Sequence, residues 1–146
     1  MAEDIKETAA SGEQGKNLHP EAYSPLSLAY IGDSVLDLYV KKHFVLQANM
    51  QVQKYHRLVT AVVSAVNQAA FMDAYVPGLS EEEQGVYHRG RNASVHTKAK
   101  NATMAEYKKA TGLEALLGYL YLSGKEERLT ELMSELILFT AKRKDE

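Results

Sequence analysis

The chain has 146 residues, 45% apolar and 25% charged, with a formal net charge of -2; this fits one domain with a full-sized core and argues against a uniformly basic nucleic-acid binder. It contains no cysteine, which excludes disulfides, thiol catalysis and Cys-based zinc sites and makes a reducing cytoplasm the expected setting. No window reaches the roughly 18 apolar residues of a membrane span, and Met1 to Leu18 lacks the apolar stretch of a secretory signal.

Residues 1–19 mix Glu, Lys, Ser, Gly and Gln and read as a disordered tail. A single domain is expected over 20–141, followed by a solvated tail over 142–146. Ser24 and Pro25 are a good helix start, an N-cap followed by Pro at the first helical position. The helix they open runs through Val40 to about Val45 and closes with Lys41, Lys42 and His43 at its negative end. It is apolar on nearly every side, so burial is expected, yet it carries Asp33 and Asp37 with no Lys or Arg between Glu21 and Val40. A buried carboxylate needs a partner, a shifted pKa or a metal.

Next, Tyr55, Val59, Val62, Val66 and Ala69 recur at helical spacing, so a second helical segment outweighs the local β-branched cluster, and Pro77-Gly78 ends it. Ser80 and Glu83 form a capping box that opens another helix. From Gly85 to Ala110 the character is basic, with Arg89, Arg91, Lys98, Lys100, Lys108 and Lys109 opposed only by Glu106. Gly90, Asn92, Ser94, Thr97 and Asn101 make much of it read as a loop. A helix from Ala102 or Thr103 to Leu122 follows, broken by Ser123-Gly124. The last helix has Leu129, Leu132, Met133, Leu136 and Ile137 as its core stripe. With neither strand pattern nor internal repeat, the fold class is all-α.

Glu114 repeats the puzzle of Asp33: it is the sole charge between Ala110 and Leu122. Gly112 and Gly118 each cost roughly 1 kcal/mol against Ala inside a helix, so they signal a close helix contact, with the opening helix and its Gly32 as partner. Such a contact brings Glu114 beside Asp33. Two carboxylates in one place repel unless a cation lies between them, and hard oxygen donors favour magnesium (Mg2+). Asp37 is a weaker candidate, since Lys41 stands four residues on. The basic stretch, with Arg89, Arg91, Asn92, Lys98 and Lys100, suits a phosphate backbone; a solvated charged loop is its bland alternative. The five histidines have no metal-ligand companions, and Walker, GxGxxG and GxSxG motifs are absent. Tyr30, Tyr39, Tyr119 and Tyr121 read as core or interface.

The stretch Leu28-Ala29-Tyr30-Ile31-Gly32-Asp33-Ser34-Val35-Leu36 resembles the signature of the ribonuclease III catalytic domain, and Thr111-Gly112-Leu113-Glu114-Ala115-Leu116-Leu117-Gly118 is similar to its second acidic motif. With Arg89-Gly90-Arg91-Asn92-Ala93, the pattern looks like the mini-ribonuclease III branch, which lacks a double-stranded-RNA-binding domain. The resemblance covers roughly 22–140. It implies an all-α homodimer with the signature helix at the interface, and two magnesium sites flanking a valley for double-stranded RNA. Asp33 and Glu114 become the catalytic and metal-binding pair, and the implied activity is maturation of the large-subunit (23S) ribosomal RNA precursor, with a ribosomal protein as a further candidate partner. Ala29 and Thr111 stand where longer ribonucleases III have acids, a departure that the mini-ribonuclease III pattern shares. A non-catalytic duplex-binding module or ribosome-assembly factor on the same fold, and a helical interaction protein without nucleic acid, are the competing readings.

Overall fold

The first long helix begins as its sequence requires: Ser24 accepts the Ser27 amide at 3.1 Å, with Pro25 at the first helical position. In a computed structural model that describes residues 1–10, 19–94 and 102–144, the helices are α1 (Ala2–Ala10), α2 (Pro25–Gln47), α3 (Val52–Val63), α4 (Ala65–Tyr75), α5 (Glu81–Ala93), α6 (Met104–Leu122) and α7 (Glu126–Lys144). No strand occurs among the described residues. Within the stretch expected to be a disordered tail, α1 is helical, with its described side chains exposed.

The expected second segment is two helices. Ser64 adopts extended dihedrals (φ -59°, ψ 148°), ending α3 and capping α4 through the Asn67 amide at 3.2 Å. Hydrophobic spacing continues across this break and therefore does not reveal it. The final carbonyls of α3, which lack intrahelical donors, are met by two side chains from α4. Asn67 Nδ2 donates to Val62 O at 2.8 Å, and Gln68 Nε2 donates to Val63 O at 2.9 Å.

The Ser80–Glu83 capping box opens α5 as expected, and a second box, Thr103–Glu106, opens α6. The expected loop is corrected in part: α5 continues to Ala93, so Arg89, Arg91 and Asn92 stand on a helix. Gly90, expected in a loop, lies in the helix and serves packing. A Cβ there would lie 2.6 Å from Ala115 Cβ and 3.1 Å from Gly112 Cα. Gly112 likewise faces α5, where a Cβ would fall 2.7 Å from the Tyr87 ring. It was expected to face α2, a part that Gly118 alone plays.

The centre of the fold is α6, whose Leu113, Leu116, Leu117 and Leu120 are fully buried, each contributing about 1.5–3 kcal/mol of apolar burial. It crosses α2 glycine against glycine. A Cβ on Gly32 would overlap the Glu114 carbonyl, and one on Gly118 would overlap the Leu28 carbonyl. Gly124 (φ 69°) then turns the chain into α7, with Lys125 N donating to Leu120 O at 3.0 Å and Gly124 N to Tyr121 O at 3.1 Å, a Schellman closure. Leu129, Leu132, Met133 and Leu136 of α7 are buried as expected, and Ile137 is half-buried. A two-pronged contact from Arg128 to Glu83, 2.7 and 2.9 Å, ties α7 to α5 and holds the Glu83 carboxyl below the usual range.

Candidate active site

Asp33 and Glu114 line one cavity of about 670 Å3 between α2 and α6, together with Tyr30, Ser34, Tyr107 and Thr111. The main-chain contact at Gly32 produces this: the residue preceding Asp33 rests on the peptide of Glu114 itself. The sequence expectation that the two acids meet is therefore realised in the geometry. Their burial differs from it. Asp33 is exposed and Glu114 half-buried. The all-round apolar character of α2 does not bury it on every side, since Tyr30 and Leu38 remain 85% and 64% exposed.

Burial pushes the Glu114 carboxyl up to about 8; the Gln68 amide opposes that shift, while the charge and hydrogen bond of neighbouring Asp33 reinforce it. Among the described residues, no Lys or Arg lines the cavity. The pair is a set of hard oxygen donors with no counter-charge among the described lining residues, and this fits a divalent cation that retains several waters and uses two protein carboxylates. No group of three or more His, Cys, Asp or Glu suited to a metal occurs among the described residues, so the donor set rests on these two. Thr111 is otherwise committed: its hydroxyl donates to Tyr107 O at 3.0 Å and accepts from Ser94 at 3.2 Å. Ala29 offers no donor.

The remaining candidates separate. Asp37 pairs with Lys41 at 2.8 Å and lines a different groove, against Tyr55 and His56 of α3, so the structure does not bring it to Asp33 and Glu114. Arg89 and Asn92 are exposed on the last turn of α5, and Arg91 lies half-buried, its guanidinium 5.8 Å from the Tyr87 ring centroid. That turn packs against Thr111 to Ala115 through Gly90, alongside the segment carrying Glu114. Lys98 and Lys100 lie outside the described residues.

Sequence reasoning missed Gln68. It is 2% exposed and donates to Glu114 Oε2 at 3.2 Å. Adjacent amides, Asn67-Gln68, inside an otherwise apolar helical run were the available signal.

Comparison with known proteins completes the picture. Residues 26–125 match the Ribonuclease III domain family. The chain belongs to the ribonuclease III family. The match spans α2 to α6 and both acids, and membership makes the protein an endoribonuclease. Curated relatives named Mini-ribonuclease 3 are similar over most of their length. The Enterococcus faecalis protein is 45% identical over 111 residues, covering 75% of this chain and 84% of that one. The Staphylococcus aureus protein is 39% identical over 127 residues, covering 86% and 95%. A crystal structure of a Fusobacterium nucleatum protein is similar with a TM-score of 0.73 and 33% identity, covering 80% of this chain and 93% of that one. The ribonuclease III-type architecture is thus all-α, as the sequence led one to expect.

Proposed function

We propose that this ribonuclease III-family chain is a magnesium-dependent endonuclease for double-stranded RNA, acting on the large-subunit ribosomal RNA precursor in the cytoplasm. The observation that carries this reading is the Asp33–Glu114 pair, held in one cavity by main-chain contact with no cationic side chain lining it among the described residues. The names of its relatives support the substrate class. A magnesium ion held there supplies an activated water and charge stabilisation for phosphodiester hydrolysis.

The chain's own residues do the rest. Asp33, exposed at the mouth, and Glu114, set deeper, aim both carboxylates at one volume. Arg89, Arg91 and Asn92 offer donors to the phosphate backbone, and Lys98 and Lys100 extend that set by sequence. A-form duplexes present phosphates and 2′-hydroxyls rather than readable base edges, which suits such contacts. No described helix is long and apolar enough to cross a membrane.

A homodimer follows from the same helix. Leu26, Tyr30 and Leu38 leave an exposed apolar stripe on α2 next to the cavity, and a second copy of that stripe is its natural cover. A ribosomal protein bound to the precursor is a further partner in this reading. The test is cleavage of end-labelled precursor duplex with magnesium. Asp33→Asn and Glu114→Gln should each lower kcat by about 10²-fold or more, and a variant that cuts like the parent removes that acid from the site. A parent that retards duplex yet leaves it uncut whatever divalent metal is supplied is a binding module instead.

A further inference from the structure

The side chain of Gln68 touches the site without lining it. Its amide nitrogen has two protons and two acceptors: Val63 O at 2.9 Å and Glu114 Oε2 at 3.2 Å. The first acceptor fixes which way the amide faces, because an amide oxygen turned toward the Val63 carbonyl would set acceptor against acceptor. The proton offered to Glu114 is therefore dictated by the end of α3. Oε1 of Gln68 is buried and has no hydrogen-bond partner among the described residues. Buried polar atoms left this way are rare and costly.

Asn67 shows that capping α3 does not require the omission. It donates to Val62 O at 2.8 Å and to Thr140 at 2.8 Å, and its Oδ1 accepts from Arg143 at 3.0 Å. Both the nitrogen and the oxygen of that amide are satisfied. The two neighbours share a capping role, and of the two Gln68 is the one that reaches Glu114. We propose that Gln68 is a positioning residue that pins one oxygen of the Glu114 carboxylate to the α3–α4 junction, leaving its remaining lone pairs for a divalent cation in the cavity shared with Asp33. The inference rests on the proposed metal-dependent nuclease and adds a residue that touches neither metal nor RNA.

The full-length, chelator-treated protein is titrated with Mn2+ alone and read by electron paramagnetic resonance, with thermal melts in parallel. Gln68→Met, close in volume and lacking the amide, should bind Mn2+ about 10-fold more weakly, the usual effect of losing a partner behind a ligand. In cleavage it should lower kcat at a fixed magnesium level and leave KM for duplex unchanged. Asn67→Ala should melt at a lower temperature and bind Mn2+ like the parent. Should Gln68→Met not fold, the parent itself decides the matter. On titration with magnesium the Gln68 side-chain NH2 resonances should shift, and those of Asn67 should stay in place. Parental Mn2+ affinity in Gln68→Met, equal weakening in both variants, or an unmoved Gln68 resonance overturns the inference. A parent that neither binds Mn2+ nor cleaves overturns the proposed function first.

Discussion

Replacing Gly32 by Ala is the sharpest probe of how the fold makes the site. The added Cβ would overlap the Glu114 carbonyl oxygen and stand 2.7 Å from its carbon and 2.9 Å from Gly118 N. All three are main-chain atoms of α6, so no side chain can rotate away and the two helices must separate. Overpacking a closed core costs about 1–3 kcal/mol, and rigid neighbours place this case at the upper end. Ala recovers roughly 1 kcal/mol of helix propensity. The net loss is about 2 kcal/mol, which for a chain of this size lowers Tm by about 4–8 °C. The same displacement falls on Glu114, and a shift of about 1 Å between reacting groups can cost around 10²-fold in rate. Circular dichroism melts and duplex cleavage, assayed well below the variant's Tm, measure both effects. A variant that melts higher and cuts normally, as at a solvent-facing helical glycine, refutes the main-chain contact as the source of the geometry.

Two more expectations follow from named groups. The folded Glu114 carboxyl sits near 8, against an ordinary 4.5, so the fold binds the extra proton; the stability Glu114 contributes is full below about 4.5, declines as pH rises toward 8 and is flat above it. In metal-free urea titrations the parent minus Glu114→Gln difference should trace that slope, and Mn2+ affinity should rise over the same window because binding expels the proton; a pH-independent difference refutes it. Tyr30→Asp, at a residue 85% exposed, should leave Tm nearly unchanged and convert a parental dimer to monomer in sedimentation velocity, whereas a parent already monomeric at micromolar concentration removes the proposed dimer.

Features set by local chemistry were legible in the sequence. The Ser24 cap, the Ser80–Glu83 box and the Gly124 turn each depend on residues within a few positions. Gly32 and Gly118 were legible for another reason: a helix keeps such residues only where something needs the space. Misreadings arose where a local signal has a distant cause. Gly90 imitates a turn but makes room for α6, so Arg89 to Asn92 extend a helix. The apolar girth of α2 imitates burial, although Tyr30 and Leu38 face outward. Gln68 meets Glu114 across 46 positions, a pairing that periodicity and propensity do not encode.

Helical backbone beneath Arg89, Arg91 and Asn92 has an energetic consequence for any polyanion that docks there. Fixing a flexible segment on a ligand costs about 1–2 kcal/mol per residue in backbone freedom. On α5 that ordering is already made by the fold, anchored by the capping box at one end and the Gly90 crossing at the other. Arg89 and Asn92, three positions apart, keep a constant separation along the helix. If these residues do meet a phosphate backbone, as proposed, their attachment points are set before binding, and a strand of different spacing would have to be met by the side chains or by its own deformation.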